Sequence, residues 1–141
     1  MFVHMSNPKG AGTLRSIATQ ADFKPKARVL VVDDDLDTVH SLALLIKVYG
    51  HEVEFAINGL AAIDAARRFR PDVILMDINL PDVKGHWLAR QLKFEPGLER
   101  ARLIALSGQS DDHTKALALE AGCAEFHVKP IAPESLEKLL T

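Results

Sequence analysis

Four aspartates follow directly on an aliphatic run in "VLVVDDDLD" (29–37). Asp33, Asp34, Asp35 and Asp37 crowd like charge where an apolar segment ends. Two carboxylates about 4 Å apart repel by roughly 4 kcal/mol at an effective dielectric of about 20. Such a cluster persists either because its acids are solvated turn and cap residues or because something positive sits among them. Three further aliphatic runs deliver a chemically useful residue at their ends. "DVILMD" (72–77) ends in Asp77, with Asn79 two residues on; "ARLIALS" (101–107) ends in Ser107; "AEFHV" (124–128) is followed by Lys129. One or two carboxylates plus waters are the usual ligands of Mg²⁺. A divalent ion would offset the repulsion among Asp33, Asp34 and Asp77, and Lys129 would add a fixed positive point. A metal, a lysine and a small hydroxyl around one carboxylate suit phosphoryl transfer, where positioning and charge stabilisation dominate. The carboxylate can itself be the nucleophile.

Those residues meet only if the intervening elements bring them to one rim. "RVLVVD" (28–33) is a continuous apolar run, the mark of a strand buried on both faces. In "TVHSLALLIKVYG", Val39, Leu42, Ile46 and Tyr49 recur at helical spacing and Gly50 is a C-terminal stop. "HEVEFA" (51–56) predicts a shorter strand. "NGLAAIDAARRFRP" predicts a helix capped by Asn58 and closed by Pro71. After the strand 72–77, "LPDVKG" is a loop and "HWLARQLKF" a helix ending before Pro96. The strand 101–107 is followed by the helix "DDHTKALALEAG", the strand 124–128, and a short terminal helix with Pro133 in its first turn. Five alternations of strand and helix imply an α/β fold: a parallel sheet with helices on both faces and right-handed crossovers. Ligands in such sheets bind at the carboxyl ends of the strands.

The segments "VLVVDDD", "DVILMDINLPDVKG", "LIALSG" and "EFHVKP", in this order and at these separations, resemble the receiver domain of two-component response regulators over about residues 28 to 140. The resemblance implies a doubly wound, flavodoxin-like five-stranded sheet in the order 2-1-3-4-5. It implies that Asp77 accepts a phosphoryl group from a histidine kinase or histidine phosphotransfer protein. Asp34 and Asp77 would bind Mg²⁺ directly, the backbone carbonyl of Asn79 would complete the protein ligands, and Asp33 would assist through water. Lys129 would pair with the phosphoryl oxygens. Ser107 would turn inward to them and Phe126 would follow, reshaping the surface formed by the fourth helix, last strand and fifth helix, through which a homodimer could form. Phe126 stands where tyrosine is frequent, Gly108 follows Ser107 where alanine is common, and the last helix is short.

The same residues admit rival readings. Asp35 or Asp37 caps the first helix. An EF-hand in "DDDLDTVHSLAL" fails, with Thr38 at position six and Leu44 at position twelve. A phosphohydrolase of the haloacid dehalogenase type needs a second acid two residues after the nucleophile, where this chain has Asn79. A pure interaction domain with a degenerate pocket is opposed by the full set of pocket residues. Taken alone, Ser107 could cap the next helix and Lys129 could be surface charge. The six histidines have no metal-ligand spacing; His113 and His127 read as surface residues, Trp87 as packing for its helix, and Cys123 as a small buried filler.

The chain has 141 residues, 48% hydrophobic and 26% charged, with a net charge of −2. That is an ordinary globular composition for one domain and suggests no nucleic-acid groove or anionic membrane surface. A single cysteine excludes an internal disulfide and fits a reducing compartment. No run approaches the ~20 apolar residues of a membrane span, so a cytoplasmic location is expected. Residues 1 to about 26 are polar, lack sustained periodicity and carry no signal peptide; they read as a flexible linker, native or vector-derived, ahead of a domain at 27–141. With no output domain behind it, the chain reads as a stand-alone regulator, a relay intermediate, or the C-terminal receiver of a hybrid sensor kinase. No turnover of an external substrate is expected.

Overall fold

The computed structural model describes residues 26–141, so the expected linker lies, but for Lys26, outside the described residues. Among the described residues, ten elements alternate strictly: β1 (Arg28–Val32), α1 (Leu36–Val48), β2 (Glu52–Ala56), α2 (Gly59–Phe69), β3 (Val73–Asp77), α3 (Gly85–Phe94), β4 (Arg102–Ser107), α4 (Asp112–Glu120), β5 (Glu125–Val128) and α5 (Pro133–Leu139). All four strand pairings are parallel and the order is β2-β1-β3-β4-β5, as the alternation and the resemblance implied.

Burial follows from the two-sided sheet. Along the central strands, successive side chains point to opposite faces. Leu30, Val32, Ile74 and Met76 therefore pack with α2, α3 and α4 residues such as Ala62, Leu88 and Ala118. Val29, Val31, Leu75 and Ile104 pack with Val39 and Ile46 of α1 and Leu136 of α5. Both faces are covered, which is why β1, β3 and β4 read as unbroken apolar runs.

Local chemistry sets the ends. Asp35, not Asp37, is the N-cap of α1, accepting the Asp37 N–H. Asn58 caps α2 by accepting the Ala61 N–H at 2.8 Å. Gly50 and Gly122 adopt φ of +93° and +115° just past α1 and α4, a conformation open to glycine without a Cβ penalty. Trp87 departs from expectation: it lies on the outer side of α3, 39% exposed, while Leu88, Ala89 and Leu92 do the packing. Helical spacing alone marks a stripe without saying which aromatic fills it.

Candidate functional site

Parallel register brings the reactive residues to one rim. β1 and β3 are adjacent, so Asp33 and Asp34 emerge beside Asp77. One oxygen from each of the three carboxylates lies within 4.8 Å of the others. Asp33 and Asp77 are 1% and 6% exposed, whereas Asp34 is open to solvent. β5 is two strands from β3, yet the long Lys129 side chain reaches back across β4. Its Nζ donates to Asp33 Oδ2 at 2.8 Å and to Asp77 Oδ2 at 3.1 Å. The peptide bond that follows, Lys129–Pro130, is cis.

The remaining oxygens of the two buried acids are held by local turns. Asp33 Oδ1 accepts the Asp35 N–H and Asp77 Oδ1 accepts the Asn79 N–H, each at 2.9 Å. These Asx-type bonds orient both carboxylates toward the rim. Burial acts to lower the Lys129 pKa, but the bonds and charges of Asp33 and Asp77 outweigh it and hold the ammonium above its usual value. Three carboxylates against one ammonium still leave an excess of two negative charges. That excess, presented wholly by hard oxygen donors, fits a small divalent cation such as Mg²⁺.

The other expected residues sit around this centre with varied engagement. Ser107 ends β4 and is 1% exposed, and its Oγ accepts the Gln109 N–H at 3.1 Å. Its carbonyl accepts the Lys129 N–H at 2.7 Å, tying the two strand ends together. Phe126 is half-buried on β5, packed against the core beneath α4. Asn79 is exposed, paired across its loop with Lys84. The sequence marks Asp82 only as part of a loop; the structure places both its carboxylate oxygens on the first turn of α2. The available signal was an acid in a six-residue loop and a helix start, Asn58-Gly59, with one side-chain cap for several unpaired N–H groups.

Comparison with known proteins bears on the family and the fold. The family described as the response regulator receiver domain matches residues 29–141. Protein PilH of Pseudomonas aeruginosa is 31% identical over 114 residues, covering 81% of this chain and 94% of PilH. The DNA-binding response regulator MtrA of Mycobacterium tuberculosis is 31% identical over 111 residues, covering 79% of this chain and 47% of MtrA. This chain thus spans about half the length of the MtrA relatives it matches. The solved structure of the chemotaxis response regulator CheY4 of Vibrio cholerae superposes with a TM-score of 0.76 at 29% identity, covering 81% of this chain and 95% of that one.

Proposed function

This chain belongs to the response regulator receiver family, and from that premise we propose that it is a phosphoacceptor module of a two-component phosphorelay, spanning residues 27–141. The observation that carries the reading is Lys129 Nζ held between Asp33 and Asp77 in an acidic rim. Asp77 is the acceptor: its carboxylate attacks the phosphorus of a phosphohistidine on a kinase or phosphotransfer protein. The P–N bond breaks with its electron pair staying on the ring nitrogen, the imidazole leaves neutral with the proton already carried by its other nitrogen, and Asp77 becomes an acyl phosphate. Asp34, Asp77 and the Asn79 carbonyl would hold Mg²⁺, with Asp33 assisting through water. When bound, the cation neutralises charge on the phosphoryl oxygens.

The chain's own residues do the rest. Lys129 exchanges its contact with Asp77 Oδ2 for a phosphoryl oxygen. Ser107 releases the Gln109 N–H and donates its hydroxyl to another. Phe126 then moves into the space that Ser107 vacates, and α4 and β5 repack. A local charge change is thereby converted into a choice between two packings, read by a partner or by a second copy through the α4–β5–α5 surface. Nothing is turned over except the module's own phosphoryl group, and we place it in the cytoplasm. Among the described residues, no helix is long and apolar enough to cross a membrane.

The test is transfer from a labelled phosphohistidine donor, followed by neutral hydroxylamine. An acyl phosphate on Asp77 loses its label to hydroxylamine, and Asp77→Asn takes none. Label that survives hydroxylamine, or steady hydrolysis of unrelated phosphoesters, would overturn the reading.

A further inference from the structure

The loop joining β3 to α3 is fastened at its neck and again at its tip. The neck closes through the Asn79–Lys84 bridge. Just beyond, Gly85 lies so near Ile78 that a Cβ there would fall 2.6 Å from the Ile78 Cα, a contact that only glycine avoids. The tip is held by Asp82, whose Oδ1 accepts the Gly59 N–H at 2.8 Å and whose Oδ2 accepts the Leu60 N–H at 3.0 Å. Asn58 already serves that helix through the Ala61 N–H, so Asp82 satisfies two further donors that the helix cannot satisfy itself. The bond from Gly59, and then that from Leu60, hold the Asp82 carboxyl below its usual pKa despite partial desolvation. Val83 closes the contact: a Cβ on Gly59 would fall 2.1 Å from Val83 Cγ2.

We propose that Asp82 is a positioning residue for the acidic rim: by clamping the loop tip to α2 it fixes the Asn79 backbone, and so sets the affinity of the rim for Mg²⁺. The inference rests on the reading of the rim given above. Asn79 sits at the neck of the clamped loop and donates its N–H to Asp77 Oδ1. Without the clamp, that segment keeps its neck and the packing of Leu80 and Val83 against the core but loses its polar anchor to α2, and a cation must restrain the remaining freedom on binding. Preordering a ligand set strengthens binding by removing that cost.

A purely structural role, in which Asp82 only caps α2, makes a different prediction, and Asn58 separates the two. Asn58→Ala removes a cap from the same helix turn without touching the loop. The experiment is calorimetric titration of the full chain with magnesium chloride alone, alongside thermal unfolding of each variant. Outer-shell partners of metal ligands change affinity by about 10- to 100-fold. Asp82 acts one step further out, so Asp82→Ala is expected to raise the Mg²⁺ dissociation constant about three- to tenfold. Asp82→Asn keeps an acceptor oxygen and recovers part of the loss, while Asn58→Ala stays within about twofold of wild type. If Asp82→Ala does not fold, Asp82→Asn against Asn58→Ala decides the matter. Equal affinities in the Asp82 variants and wild type, or an equal loss in Asn58→Ala, would overturn the clamp and leave the rim intact. A wild-type chain that does not bind Mg²⁺ would overturn both.

Discussion

Lys129 Nζ stands 2.8 Å from one buried aspartate and 3.1 Å from another, so its removal leaves two carboxylates facing each other without an ammonium. Taking one partner from a fully buried ion pair costs about 3–5 kcal/mol. Lys129 keeps about a quarter of its side chain in solvent, and screening brings the expected cost of Lys129→Ala to about 1–3 kcal/mol. Urea unfolding in chelator should show that loss, and the loss should shrink in Mg²⁺, because a bound cation takes over the neutralisation. An equal loss in both conditions would mean that the rim does not take the cation. His51 gives a second residue-scale expectation. It is 6% exposed, and its buried Nδ1 has no hydrogen-bond partner among the described residues. Desolvation, aided by Lys26, pushes its pKa below the usual value. The unfolded chain therefore binds a proton near pH 6.5 that the folded chain refuses, and stability falls as pH drops below about 6.5. His51→Gln should flatten that slope in chemical unfolding between pH 7 and pH 5. An unchanged slope would show that another group governs it.

Among the helices, α4 is the least anchored. It buries Ala118 alone, while α2 buries five residues. Opening free energy tracks buried contacts, so amides of α4 should exchange with deuterium faster than those of α2, and phosphorylation should change their protection more than that of α2. Protection in α4 matching α2 would contradict the repacking assigned to it. Most of the element plan was legible, because a strand covered on both faces reads as an unbroken apolar run and glycine and proline punctuate the helix ends. The rim was legible for a related reason: in a parallel sheet every strand end faces the same way, so Asp33, Asp77, Ser107 and Lys129 had to share an edge. The Asp82 clamp was not legible, since its partners Gly59 and Leu60 lie 23 and 22 residues away and only the packed fold brings them close. Nor was the outward turn of Trp87, which depends on how α3 rolls against the sheet.

At the scale of the whole molecule, both layers share the central strands, so damage to one strand is felt on both faces. Leu75 is fully buried at the middle of β3, against α1 and α5 residues. Leu75→Ala is expected to cost about 2–5 kcal/mol and, because β3 also carries Asp77, to weaken Mg²⁺ binding in partly unfolded samples. Alkaline conditions strain the same body elsewhere. Burial pushes the Cys123 thiol up to about 11, so the folded chain keeps a proton that the unfolded chain loses near pH 9, and stability falls as pH rises from about 9 to 11. Cys123→Ala should remove that part of the alkaline slope. The central claim concerns one carboxyl group, and intact mass tests it most directly. After incubation with a small acyl-phosphate donor and Mg²⁺, the wild-type chain should gain one phosphoryl group, while Asp77→Asn, or wild type in chelator, should gain none. A wild-type chain that stays unmodified while Mg²⁺ is bound, or an Asp77→Asn chain that still gains the group, would contradict the account.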